Sequence, residues 1–355
     1  MTAFRLHHLL WLVPLLVVLV FLPSFTTTFI TYLLSLICIY VIVALGMNIL
    51  TGYTGQMSVG HAGFLAIGAY TSARLITDLG APFWVGMLVA GLASGIVGFL
   101  LGIPALRLSG AYLSTATLGF GLAVEQILQN MDSVSGGRAG LSVPKPSLAG
   151  FVLDDRSYFY FVLAVTIVMS LLAVSILRSS VGRAFIALRD SEIAAQAMGI
   201  SLARYKTLAF TMSAFYTGIA GALFASLVRF LAPENFNMWL SIDFLTMIVI
   251  GGLASVLGSV IGGIFMVTVP YVLGELQDLS FILMGAALLV VLLFMPGGIS
   301  AFLSRLLDLV TGRTTAKDIE QHAAKPMGQL GRLPEQSQSA NALASETDLL
   351  GVKES

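Results

Sequence analysis

The side chains able to do chemistry are few in this chain, and they do not gather. Its histidines are His7 and His8 at the start, His322 far along the C-terminal end, and a solitary His61; the one cysteine is Cys38. No familiar metal-ligand spacing can be built from these. Cys38, set inside an apolar run, reads as a small buried side chain rather than half of a disulfide. No G-x-x-x-x-G-K-[ST] phosphate loop occurs, so the chain does not hydrolyse a nucleotide by that route. Apart from Glu275 at the boundary of one run, charged residues within apolar runs are confined to Arg74, Asp78, Glu125, Arg229 and Asp243. Most of them fall near the end of a run, where they can snorkel to water; Glu125 is the exception. No nucleophile, base and metal ligand assemble into a catalytic constellation, so neither a catalytic residue nor a cofactor is expected.

Two stretches remain that could carry a non-enzymatic function. The first is T-G-Y-T-G-Q-M-S-V-G-H-A-G-F-L-A-I-G-A-Y-T-S, residues 51 to 72, where Gly52, Gly55, Gly60, Gly63 and Gly68 recur at spacings of three and five. Glycines at such intervals let helix backbones approach closely, and they also permit a helix to break where it lines a cavity. Gln56, Ser58 and His61 lie among them and need partners or water in an apolar setting. Together with Gly55 and Gly60, and with Gly251 and Gly252 from a second glycine-rich stretch, G-G-L-A-S-V-L-G-S-V-I-G-G, they are candidates for the wall of a translocation pathway. Helix packing alone is the competing explanation for the glycines.

The second stretch is V-G-R-A-F-I-A-L-R-D-S-E-I-A-A-Q-A-M-G-I-S-L-A-R-Y-K, from Val181 to Lys206. Asp190 or Ser191 can cap a helix that carries Glu192 in its first turn, at the positive end of the dipole, and Gly199 can end it. Ser201 can cap the helix that follows. Ile193, Ala194, Ala197 and Met198 are unusually apolar for an exposed connector, which suggests that another protein covers them. An amphipathic connector resting on lipid is the alternative.

These stretches must be positioned by apolar helices. Hydrophobic residues make up 57% of the 355 and charged residues only 10%, and the mean hydropathy is +0.94. A soluble domain carries about 25% charged residues, so a soluble enzyme is excluded. The apolar runs have membrane-spanning length, about 20 residues, instead of the short alternating strands of a barrel. They fall at about 9–23, 29–50, 57–79, 83–103, 111–131, 157–177, 207–230, 241–255, 256–275 and 281–302. Basic residues of short loops mark the cytoplasmic side. Arg178, Arg183, Arg189, Arg204 and Lys206 place 178–206 there, Arg305, Arg313 and Lys317 the C-terminus, and Arg5 the N-terminus. Even numbers of crossings are then required on either side of 178–206, which ten spans satisfy if 241–275 crosses twice. Segment 1–28 is read as a retained first helix with a short outside turn, 29–177 as helices two to six, 178–206 as a cytoplasmic loop, 207–302 as helices seven to ten, and 312–355 as a disordered tail. The loop 132–156 is a candidate outside docking surface. Two sets of five spans would be inverted repeats, a common transporter plan. The net charge of zero offers no basic surplus for nucleic acid.

The glycine stretch G-Y-T-G-Q-M-S-V-G-H-A-G-F-L-A-I-G-A-Y-T-S-A and the segment A-L-R-D-S-E-I-A-A-Q-A-M-G-I-S-L-A-R-Y-K-T-L-A-F resemble the signatures of LivM-like permeases of branched-chain amino acid ABC importers. The resemblance extends over roughly residues 30 to 300. It implies an all-α polytopic protein of the ABC importer permease fold in the bacterial inner membrane. It also implies a second, LivH-like permease, two cytoplasmic ATPase subunits that bind the ATP, and an extracytoplasmic binding protein as partners. Arg183, Arg189, Asp190, Glu192, Ile193, Ala194, Ala195, Met198 and Gly199 would form the ATPase-coupling element, with the charged members orienting it by ion pairs. The implied cargo is leucine, isoleucine or valine; permeases for urea and short amides share the pattern. An ion-coupled carrier using Glu125 or Asp243 is the reading from a different class, and such a carrier has no need of the 178–206 loop.

Overall fold

The computed structural model describes residues 27–108, 110–148, 151–272 and 297–303, with positions 285 and 289 besides. The expected first helix, the C-terminal tail, and most of the tenth span lie outside the described residues.

The long apolar runs fold as helices because, away from water, each backbone amide and carbonyl must find its partner within the segment. Helix α1, Thr28–Met47, continues without interruption into a π-helical turn, Asn48–Tyr53. Helix α2 is His61–Leu79, α3 Phe83–Ala105, α4 Ala111–Asn130, α5 the single turn Asp132–Ser135, and α6 Asp155–Arg178. Then come α7, Ser180–Asp190; α8, Glu192–Ala197; α9, Leu202–Val228; α10, Met238–Gly251; and α11, Val256–Val272. Among the described residues four segments, Thr28–Tyr53, α3, α6 and α9, are long and apolar enough to cross a membrane, at 26, 23, 24 and 27 residues. The region expected to cross twice, 241–275, is two helices of 14 and 17 residues parted by a turn at Gly252 to Ser255. The first is shorter than the roughly 20 residues a full crossing takes; the second is described only as far as Val272.

The 132–156 loop is not featureless. Its β1, Leu141–Ser142, pairs antiparallel with β4, Phe230–Leu231, which follows α9, while β2, Ser147–Leu148, and β3, Phe151–Val152, form a small hairpin. Beside these, Arg229 pairs with Asp155 at 2.7 Å, fastening the end of α9 to the start of α6.

Helix α9 is the hub, in contact with α1, α2 and α3. It approaches them through small residues: a methyl group placed on Gly68 of α2 would collide with the Gly218 backbone of α9, one on Gly218 with Ser94 of α3, and one on Gly221 with Leu65 of α2. Short polar ties join neighbouring helices, as membrane helices use in place of a hydrophobic driving force. Ser94 donates to the Phe64 carbonyl at 3.1 Å, Tyr216 to Met169 at 3.0 Å, and Thr166 to Cys38 at 3.2 Å. The outward face of α3 is made of Trp84, Leu88, Leu92, Ile96, Phe99 and Ile103, all exposed, a surface suited to acyl chains.

Candidate functional site

The segment from Ser179 to Lys206 forms two helices rather than a loop around one. Ser179 caps α7, its hydroxyl accepting from the Val181 amide at 3.1 Å. One face of α7, Gly182, Ala184, Phe185 and Leu188, is buried; Arg183, Arg189 and Asp190 are exposed. Ser191 then turns the chain. It is Ser191, not Asp190, that caps α8, accepting from the Ala194 amide at 3.2 Å, while Glu192 occupies the first turn. Gly199 ends the knob at φ +81, the left-handed conformation that glycine adopts without strain. The expected cap at Ser201 is absent: its side chain makes no capping bond to α9.

Of the knob's apolar residues, Ala195 is tucked against the protein at 3% exposure, whereas Ile193 and Met198 are 85% and 83% exposed. Ala194 is exposed as well. The charged groups were expected to face a partner, but two of them are engaged within the chain. Glu192 pairs with Lys206 at 2.6 Å, with the lysine side chain buried and the glutamate half-exposed, which ties α8 to the root of α9. Arg189 donates to the Gly52 carbonyl at 2.9 Å.

That second bond joins the knob to the glycine stretch. After the π turn the chain leaves helical structure at Gly55, φ +73, which lies against the Arg189 side chain, and becomes helical again only at His61. The third expected span therefore starts late. Between the two helices the extended segment is held by nonlocal bonds. The Val59 amide donates to Thr117 of α4 at 3.0 Å, Gly60 abuts the Thr117 backbone, and the Ala62 amide donates to Ser241 of α10 at 3.0 Å. His61 shares hydrogen bonds with Ser213 of α9 at 2.7 Å and Ser58 at 3.3 Å. Gln56 donates to Thr54 at 3.0 Å. Gln56, Ser58 and His61 are all buried, while Met57 between them is exposed. The polar side chains singled out in this stretch thus turn into the protein's own core.

Gly251 and Gly252 lie close by, at the turn between α10 and α11. Gly251 packs on the Gly258 backbone, and Gly252, φ +124, on Ser300. What holds this turn is Asn48, a residue the sequence reading passed over. Its side-chain amide donates to the Ser255 carbonyl at 2.9 Å and to the Ser259 hydroxyl at 3.0 Å, and its oxygen accepts from the Ala254 amide at 2.8 Å. The only sign in the sequence is a lone amide in an otherwise apolar run, where an unpaired polar group would be costly. Gly52 is a glycine for the same reason: a side chain there would occupy the place of the Asn48 amide and the Ala254 backbone.

The charged groups within spans sit apart from this cluster. Glu125 accepts from Gln129 one turn along α4, at 3.3 Å; Arg74 pairs with Asp78 at 3.3 Å and donates to the Val134 carbonyl at 2.6 Å; Asp243 is half-buried on α10.

A family model described as the permease component of the branched-chain amino acid transport system matches residues 29–292. The chain belongs to this permease family. Among its relatives is the high-affinity branched-chain amino acid transport system permease protein LivM of Escherichia coli, 36% identical over 315 residues, which are 82% of this chain and 74% of the relative. LivM of Salmonella typhimurium is 35% identical over 86% of the chain and 77% of the relative. The permease protein LivH of Escherichia coli is 25% identical over 73% and 90%. No solved structure gives a significant match. The permease is thus a membrane transport component and not itself a catalyst, and both the knob and the broken helix lie within the matched region.

Proposed function

We propose that this permease is one of two membrane subunits of an ATP-driven importer of leucine, isoleucine and valine, and that α8 is the element its ATPase subunits grip. The observation that carries the reading is the exposure of Ile193 and Met198 on a helix that is capped by Ser191 and fixed to the rest of the chain by an ion pair and a buried alanine. Apolar side chains held out rigidly supply contact area without an ordering cost to the partner. Closure of the motor would displace the knob and, with it, the helix ends at Gly52 and Gly252. The second permease would be LivH-like, the cargo would arrive from an extracytoplasmic binding protein, and the translocation pathway would run between the two permeases.

We further propose ten spans in the inner membrane with both termini inside; over the described residues, the pairing of helix ends fits that alternation. The contacts of Arg189 with Gly52, of Asn48 with Ala254, and of Ser114 with the Met57 carbonyl all join residues that the charge pattern puts on the cytoplasmic side. The Asp155–Arg229 pair and the β1–β4 pairing join residues it puts outside.

The test is the double substitution Ile193→Asp, Met198→Asp in the assembled complex. The ATPase subunits are expected to stop copurifying, and leucine uptake into proteoliposomes to cease, while the chain still inserts. Undiminished uptake would favour a self-sufficient carrier using Glu125 or Asp243 and would sink this reading.

A further inference from the structure

Arg189 is where the knob and the membrane core meet. It stands in the last turn of α7, just before the Ser191 turn into α8, and although the residue is exposed its guanidinium is engaged within the chain. It reaches the Gly52 carbonyl at 2.9 Å, with its aliphatic stem along Gly55. Gly52 lies in the π turn that ends α1, where carbonyls are left without helical partners and the helix dipole is negative. A guanidinium satisfies both conditions at once. On its other side Gly52 is packed against Asn48 and Ala254, and Asn48 holds the α10–α11 turn by the bonds at Ser255, Ser259 and Ala254. An unbroken line of direct contacts therefore runs from the hinge of the knob through Arg189, Gly52 and Asn48 to Gly252–Ser255, and π turns of this kind often sit where helices change shape in function.

We propose that Arg189 is a positioning residue that carries displacement of the α7–α8 unit to the broken end of α1 and so to the α10–α11 turn, and that it does not belong to the surface that binds the motor. This rests on the importer reading above, and the test separates the two. The whole complex is reconstituted with binding protein, and three quantities are followed: copurification of the ATPase subunits, stimulated ATP hydrolysis, and leucine uptake per ATP hydrolysed. Arg189→Gln is expected to leave copurification and hydrolysis near wild type while uptake per ATP falls about tenfold, the worth of one charge-assisted hydrogen bond. Arg189→Lys, which keeps a cation for the carbonyl, should recover most of that loss. Arg204→Gln, at an exposed position in the first turn of α9, should leave uptake per ATP unchanged. Unaltered uptake per ATP in Arg189→Gln would overturn the proposal, and so would loss of the ATPase subunits from that variant, which would put Arg189 in the docking surface. Failure of the importer reading would show differently, as ATP-independent uptake in the unmodified complex.

Discussion

The bonds of Asn48 allow one perturbation to be worked through from geometry. Asn48→Ala removes the donors to Ser255 and Ser259 and the acceptor of the Ala254 amide, at 2.9, 3.0 and 2.8 Å. Net intramolecular hydrogen bonds contribute about 1 kcal/mol each in proteins, and about 0.6 kcal/mol in membrane helices. The three together give roughly 2–3 kcal/mol, which is lost locally, because α1 keeps its own backbone bonds. At about 1.4 kcal/mol per factor of ten, the turn between α10 and α11 should open roughly 30–150 times more often. Hydrogen exchange measured on the purified permease reads this directly, as faster exchange at Ala254 and in the first turn of α11 with unchanged protection in the middle of α9. Ser259→Ala, which deletes one of the three bonds, should give about a fivefold effect. Wild-type exchange at Ala254 in Asn48→Ala would refute the claim that this side chain holds the turn.

Two further outcomes follow from the knob. Because Lys206 is buried and Glu192 only half-exposed, Glu192→Gln should lower the thermal midpoint more than the double substitution Glu192→Gln, Lys206→Met, since the single change strands a buried cation and the double change removes it; the opposite order in a melting experiment would count against the pairing. Gly199→Ala meets no neighbouring atom, so its cost is conformational, about 1–2 kcal/mol for placing a side chain at φ +81. That loss should appear as increased proteolysis between α8 and α9, with no change in the rest of the helical body.

The features legible in the sequence were those set by neighbours along the chain. Ser191 beside Glu192, with Gly199 seven residues on, marks out α8 because capping involves only a turn of backbone at each end. The spans could be seen because apolar runs are continuous. The break before His61 could be suspected from its glycines, but its late restart could not, since the Val59 amide is satisfied from Thr117 on another helix. Arg189 is visible as a charge, but its bond to Gly52 is not: a carbonyl 137 positions earlier leaves no trace in local pattern. The two-residue strands β1 and β4 are too short to have a periodicity. Asn48 is the instructive omission, because a lone amide in an apolar run announces that a partner exists without saying where.

The glycine contacts that bind α9 to its neighbours have a mechanical consequence. Where two helices meet through long side chains, a small displacement can be absorbed by rotamer changes and never reach the far side. Gly68 against Gly218, and Gly221 against Leu65, leave no such cushion, because one backbone rests on another. The assembly of α2, α3 and α9 therefore has low compliance. In the proposed importer, a push at the root of α9, where Lys206 pairs with Glu192 of the knob, would pass to α2 and α3 with little taken up by side chains.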